Sequence, residues 1–219
     1  MIKINKDKVY TAQEESLFWN KFYDSDLAPS SPSNFAKLSL EYVDKTKSLV
    51  EFGCGNGRDS FFFAQNGINI ISLDRSKTVV AKNSMFEAPN VSFKEMDFTR
   101  IPENELTDEI GGIYSRFTLH SINKEGYNRT IRYCGEKLPK GAKLFIEART
   151  INDPLFGKGE KYPDNGFKTT HYRRFLEIKE VISDVLKAGF KLELAIEDYL
   201  DCWYKDDHAV VLRIIAQKI

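Results

Sequence analysis

The chain has 219 residues, 42% hydrophobic and 13% aromatic, and its 32 basic and 32 acidic side chains cancel. That length suits one domain with an N-terminal extension, and the aromatic bulk suffices for a sizeable core. Zero net charge speaks against a nucleic-acid partner, which would ask for a basic excess. Three cysteines, Cys54, Cys134 and Cys202, are odd in number and lack C-x-x-C spacing, so neither a disulfide framework nor a metal site is expected. The first residues, M-I-K-I-N-K-D-K, carry no apolar leader and no run approaches a membrane span, so the expectation is a cytoplasmic protein that engages no membrane.

Taken in order, Thr11-Ala-Gln-Glu14 has the pattern of a capping box and predicts a helix from Ala12. Leu17, Phe18, Phe22 and Tyr23 share one side of it, with Trp19 beside them. Asp24 to Ser33 reads as a loop, and a second helix follows Ser33 with Phe35, Leu38, Tyr42 and Val43 apolar. Ser48 to Asp59, S-L-V-E-F-G-C-G-N-G-R-D, is the most informative stretch. Leu49, Val50 and Phe52 suit a buried parallel strand. Gly53, Gly55 and Gly57 allow positive φ and the close approach of another molecule. A helical pattern with Phe61, Phe62, Ala64 and Gln65 follows and closes at Gly67. In an open α/β sheet such a turn lies at the carboxyl end of a strand, where ligands bind. The next strand, Ile68 to Leu73, ends in Asp74, a carboxylate about 20 residues past the first glycine and able to take both hydroxyls of a ribose. A dinucleotide turn would need glycine at position 58, where Arg58 stands, so the ligand has a ribose without a pyrophosphate.

The run E-F-G-C-G-N-G with its acid at Asp74 resembles the class I S-adenosylmethionine (SAM) dependent methyltransferases, over roughly Val50 to Lys218. That resemblance implies a Rossmann-like α/β fold, with a seven-stranded, mostly parallel sheet closed by a C-terminal antiparallel hairpin. It implies SAM as cofactor and S-adenosylhomocysteine as product. Glu51, Gly53, Gly55 and Gly57 would hold the methionine part and Asp74 the ribose. The W-x-x-F-Y helix and its Pro/Ser loop are similar to the N-terminal lid of thiopurine- and tellurite-type methyltransferases. The division expected is a helical lid over 1–45 and a SAM-binding domain over 46–219. A lid would make Trp19 and Tyr23 substrate contacts. A helix plugging the sheet edge is the other reading, and one element can do both.

Asp74 to Phe86 reads as the next helix and Val91 to Glu95 as the third strand. The resemblance gives Asp97 the adenine amino group, whereas a plain turn gives it a cap over Thr99 to Pro102. Ile110 to Ser115 is the fourth strand. Tyr114-Ser115-Arg116-Phe117 stands where nucleic-acid N-methyltransferases carry an N-P-P-Y type sequence, so methylation of a base amino group is disfavoured. Arg116, beside a sulfonium, must pair with an acid or an anionic substrate, which makes it a candidate at both the cofactor and the substrate. His120 is the first candidate general base for a hydroxyl, or else it positions an acceptor already anionic. Lys124 to Leu138 is a helix with Tyr127, Ile131 and Cys134 inward, and Lys143 to Ile146 a fifth strand running into Glu147-Ala-Arg149. Thr150 to Lys168 reads as a long aperiodic connection, folded as a lid by Phe156, Tyr162 and Phe167.

The combination R-F-x-L-H, E-A-R, D-P-L-F-G-K-G-E and H-Y-R-R-F resembles a bacterial methyltransferase group associated with surface-polysaccharide assembly. Arg116, Arg149, His171, Arg173 and Arg174 point to an anionic small molecule, phosphorylated, carboxylated or nucleotide-activated, with Asp153 and Glu160 available to pair some of them. A solvated helix start at His171, Arg173 and Arg174 is the plainer reading. His171 is the second candidate base. Glu177 to Lys187 is an amphipathic helix with Ile178, Val181, Ile182, Val185 and Leu186 inward and Gly189 at its end. Phe190 to Ile196 and Ala209 to Ala216 are the closing strands, joined by the polar, aromatic Glu197 to Asp207. The function expected is O-methylation of such an acceptor by a monomer or homodimer. A SAM-binding protein without catalysis is set back by the intact glycines and polar pocket, and a nicotinamide oxidoreductase by Arg58.

Overall fold

The computed structural model describes residues 18–23, 28–103, 105, 109–199, 203–204 and 207–219. The capping box and Cys202 lie outside them. Residues 18–23 are helical (α1) and α2 spans Asn34–Ser39. Then follow β1 (Ser48–Phe52), α3 (Arg58–Gln65), β2 (Ile70–Asp74), α4 (Lys77–Asn83), β3 (Val91–Glu95) and β4 (Ile110–Arg116). After them come α5 (Lys124–Lys137), β5 (Lys143–Arg149), the short strands β6 (Glu160–Tyr162), β7 (Gly166–Lys168) and β8 (Tyr172–Arg174), and α6 (Ile178–Lys187). The chain closes with β9 (Phe190–Asp198), β10 (Trp203–Tyr204), β11 (Asp207–His208) and β12 (Val211–Lys218).

The main sheet has the order β3-β2-β1-β4-β5-β12-β9. β1 to β5 are parallel, and β12 runs antiparallel between β5 and β9. This is the Rossmann-like sheet with a closing antiparallel pair that the sequence implies. Period-two alternation gives each strand two apolar faces. Val50, Phe52, Ile113, Leu144, Ile146 and Ile214 meet Tyr127 and Ile131 of α5 and Val181 and Val185 of α6. Leu49, Ile70, Tyr114, Phe145 and Ile215 face the other way onto Phe35 of α2 and Phe63 of α3. Each fully buried side chain of this size contributes about 1.5–3 kcal/mol, so the two layers hold the sheet rigid beneath the site.

Several elements differ from expectation. Helix α4 starts at Lys77 rather than Asp74, because Asp74 stays in β2 and the Ser76 side chain caps the helix at Val79 N–H. Leu186 is 48% exposed, since Val181 and Val185 already fill the inward stripe of α6. The Thr150 to Lys168 connection ends in an antiparallel sheet, β6-β7-β8. Its first turn places Asp164 and Asn165 at φ of 55° and 61°, a left-handed conformation these side chains tolerate. Three-residue strands are too short to print a periodicity. Tyr172, Arg173 and Arg174 therefore stand in a strand and not at a helix start, and β9 runs on to Asp198.

Candidate active site

The face that carries Leu49, Tyr114 and Phe145 turns polar at its carboxyl end, where Glu51, Asp74, Arg116 and Glu147 follow in the same alternation. Above it the chain makes the glycine turn, with φ of 70°, 53° and 73° at Gly53, Gly55 and Gly57. A Cβ at Gly53 would overlap the methyl group of Thr118, and one at Gly55 would overlap the hydroxyl of Tyr23. The turn is tied down by Asp74, whose Oδ2 accepts from Gly55 N–H (3.0 Å) and whose Oδ1 accepts from Ser76 N–H (2.9 Å). Each oxygen keeps a further lone-pair direction for a ligand hydroxyl. Burial raises the Asp74 pKa. Glu51 is buried one strand away and takes the hydroxyls of Ser60 and Ser72 on Oε2. Burial, with Asp59 beside it, pushes the Glu51 carboxyl up to about 8.

A cavity of about 900 Å³ opens over this turn, at the upper end of the range for small-ligand sites. One end is walled by Glu51, Gly53, Asp74, Asp97 and Phe98, the other by Arg116, Phe117, His120, Glu147, Arg149, His171 and Arg173. Helix α1 covers both with Phe18, Trp19, Phe22 and Tyr23. Gly55 and Gly57 stand behind the wall: Gly55 lies under Tyr23, and Gly57 packs by Phe61, Asn83 and Phe93. Asp97 lies on the wall, yet its Oδ1 accepts from Thr99 N–H (2.9 Å) and Thr99 Oγ1 (2.8 Å), the capping geometry. Residues 28–33 lace onto the turn, where Asn56 Nδ2 donates to Pro29 O (2.9 Å) and Arg58 Nη1 to Ser31 O (3.2 Å).

The other end is a chamber of paired charges. Strand register sets Arg116, Glu147 and Arg213 in one row across β4, β5 and β12. Arg116 Nε lies 2.8 Å from Glu147 Oε1, and Arg213 Nε donates to Glu147 Oε2 at 2.6 Å. Arg116 therefore has an acid partner in Glu147. Arg149 pairs with Asp153 (2.8 Å) and with Asp207. Arg173 differs: its Nη1 donates to Thr169 Oγ1 (3.0 Å), and among the described residues no carboxylate lies within ion-pair distance. Burial and Arg149 lower its pKa to about 10.

Arg174 requires a correction. It does not line the cavity; it lies 2% exposed over the Tyr127 ring (4.4 Å), with Glu180 at 3.9 Å. Alternation along β8 sends neighbouring side chains to opposite faces, so only one of the two arginines can reach the chamber. His120 sits in a short 3-10 turn, Leu119–Ser121, and its Nδ1 accepts from the backbone N–H of Arg149 (3.1 Å). Burial first, then Arg149, Arg173, His171 and Arg116, hold its pKa well below the ordinary value. His171 is packed against Phe18 (4.4 Å) and Trp19 (4.9 Å) of α1. Burial and the same two arginines, Arg173 and Arg149, push it down to about 2. Phe117 holds a φ of 58°, uncommon for a side chain of that size, and Arg116 lies over its ring at 4.3 Å.

Three participants were not read from the sequence. Asp59 accepts from Ser33 N–H (2.7 Å), Ser33 Oγ (2.8 Å) and Tyr114 OH (2.9 Å), tying α2, α3 and β4 together under the cavity. Asp207 and Arg213 complete the chamber's ion pairs. A lone arginine within V-V-L-R-I-I-A is a visible signal for Arg213, because a charge in a buried strand needs a partner.

The sheet order, the glycine turn and the acid that ties it down define an α/β protein with the fold of the SAM-dependent methyltransferases. Residues 23–195 match the family described as the methyltransferase domain, and the chain belongs to that family. A SAM-dependent methyltransferase of Anabaena variabilis ATCC 29413 superposes with a TM-score of 0.69 at 18% identity, covering 100% of this chain and 99% of that one. One from Methanosarcina mazei superposes at 0.67 and 17% identity, over 83% of this chain and 97% of its own. The 1,6-didemethyltoxoflavin-N1-methyltransferase of Burkholderia thailandensis, solved with its substrate and S-adenosylhomocysteine, gives 0.68 at 15% identity, over 99% and 94%. A curated tRNA/tmRNA (uracil-C(5))-methyltransferase of Pasteurella multocida (strain Pm70) is 27% identical over 125 residues, 55% of this chain. The chain spans about a third of that relative's length, 34%. The residues present fit SAM: the turn has no room for a side chain at Gly53, Asp74 is aimed beside it, and Glu51 is a buried acid at the amino-acid end. By family the chain is a methyltransferase, and its fold is that of the SAM-dependent methyltransferases. Among the described residues, no helix is long and apolar enough to cross a membrane.

Proposed function

We propose that the chain methylates an oxygen of a small anionic acceptor, carboxylated, phosphorylated or nucleotide-activated and sugar-like, in cytoplasmic metabolism that feeds bacterial surface polysaccharide or related products. The observation that carries this is Arg173, a guanidinium on the chamber wall whose hydrogen-bond partner is a hydroxyl and not a carboxylate. The R-F-x-L-H, E-A-R and H-Y-R-R-F resemblance supports the polysaccharide setting.

SAM supplies an activated methyl and a leaving thioether that departs neutral, so no acid is needed to protonate it. Glu51 and the turn take the ammonium and carboxylate end, Asp74 takes the ribose hydroxyls, and Asp97 with Phe98 meets the adenine. Arg116, paired with the Glu147 carboxylate that it shares with Arg213, stands beside the reacting end with its charge offset in part. Phe18, Trp19, Phe22 and Tyr23 exclude water over both ligands, and Arg173 fixes the acceptor. Most of the acceleration then comes from holding acceptor and methyl in line.

The test is incubation of the protein with deuterated-methyl SAM and the small-molecule fraction of a bacterial cell extract, followed by mass spectrometry. The label should enter an anionic metabolite. Label found in RNA, or in a neutral compound alone, would overturn this function.

A further inference from the structure

We infer that this enzyme transfers the methyl without a protein base: His120 carries its proton on Nε2 and, beside Arg173, offers that N–H to an acceptor oxygen that is already ionised. The inference rests on the methyl-transfer function proposed above and names its substrate class, an oxygen acid rather than an alcohol.

The backbone decides the tautomer. Arg149 N–H points at His120 Nδ1 from 3.1 Å, and an N–H can bond only to a bare ring nitrogen. A neutral imidazole has one proton, so that proton is on Nε2. To accept a proton at Nε2 the ring would first need Nδ1–H, which would set two donors against each other in a buried site. Full protonation is opposed by burial and by the charges facing the ring: Arg116 from β4, Arg149 from β5 and Arg173 from β8, with His171 beside them.

Among the described residues, no other group at this end is available to take the proton. His171 faces the same arginines under the aromatic cover of α1. Glu147 holds two guanidinium groups, while Asp153 and Asp207 both serve Arg149. Among the described residues, these four arginines, Arg116, Arg149, Arg173 and Arg213, thus meet three carboxylates, a surplus of one positive charge, and Arg173 is the one with no carboxylate within ion-pair distance. A sugar hydroxyl must shed a proton as it is methylated, and none of these groups receives it. A carboxylate or phosphate oxygen needs no such help. Its lone pair forms the O–C bond while the C–S bond breaks, and the C–S pair goes to sulfur. The acceptor loses one negative charge and no proton moves. The product then pairs less well with Arg173, which favours its release.

Three measurements decide this. In protein labelled with nitrogen-15 histidine, long-range nitrogen–proton spectra should show His120 with protonated Nε2 and bare Nδ1, assigned by their loss in His120→Gln. The opposite tautomer overturns the proposal. In the deuterated-methyl SAM assay with the extract fraction, the labelled metabolite should elute from anion exchange with one negative charge fewer than its precursor. Label on a metabolite of unchanged charge marks an alcohol acceptor and overturns the proposal. His120→Gln, which keeps a side-chain N–H but is no base, should hold kcat within about 10-fold, whereas His120→Leu, without a donor, loses on the order of 100-fold through misplacement of the acceptor. Equal losses of about 10²–10⁴ in both variants are what a base predicts, and they overturn the proposal. SAM titration of the same preparations separates the two levels. Failure to bind SAM removes the methyl-transfer function and this inference with it, whereas binding and transfer with charge retained removes the inference alone.

Discussion

Glu51 shows how a single residue couples fold and cofactor. It is buried at the carboxyl end of β1, and burial with Asp59 nearby places its pKa at about 8, against 4.5 for a free glutamate. The folded chain therefore holds this proton where the unfolded chain has released it. The stability contributed by the group is whole below about pH 4.5 and is lost as pH rises through about 8. Thermal melts of the ligand-free protein from pH 5 to pH 8 should show a falling component that is absent in Glu51→Gln. The ammonium of SAM favours the ionised form, so binding near pH 7 should release a proton. The calorimetric enthalpy should then differ between buffers of different ionisation heat, and identical enthalpies would contradict the assignment. The place of Glu51, Gly53 and Asp74 on the cavity wall was legible in the sequence because they stand at the ends of short apolar runs. Asp59 and Arg213 were not, since their partners come from other elements. Nor could sequence tell which nitrogen of His120 is bare, because a main-chain N–H on β5 decides it.

At the scale of the element, β8 sorts two adjacent arginines into different roles. Arg173 faces the chamber, whereas Arg174 lies under the surface on Tyr127 of α5 and near Glu180 of α6, docking the three-stranded insertion onto both helices. Arg174→Ala should lower stability by about 1–3 kcal/mol through lost packing and a lost partner for Glu180, and leave the acceptor KM unchanged. Arg173→Ala should do the reverse, raising KM for the anionic acceptor at an unchanged melting temperature. Melting curves and steady-state kinetics on the two variants check the pair, and matching effects would contradict the alternation. The run H-Y-R-R-F shows both charges but not their division, because three-residue strands leave no pattern to read. The helices gave clearer signals: Ser33 and Gly189 mark boundaries of α2 and α6 through capping and turn chemistry.

For the whole molecule, the sheet order places β1, β2 and β4 side by side, so residues more than sixty positions apart, Glu51 and Arg116, share one rim. The sheet itself was expected from the resemblance that the strand–glycine–helix unit and Asp74 carry. The chamber was not, because it depends on β12 returning between β5 and β9 to set Arg213 against Glu147. Helix α1 and residues 28–33 line the cavity over the turn. The most direct test is calorimetric titration of the protein and its Asp74→Ala variant with SAM and S-adenosylhomocysteine. The account predicts that the parent protein binds both and that Asp74→Ala weakens them by on the order of 10- to 100-fold, the worth of one or two charge-assisted hydrogen bonds. Absence of binding by the parent protein, or equal affinity in the variant, would contradict it.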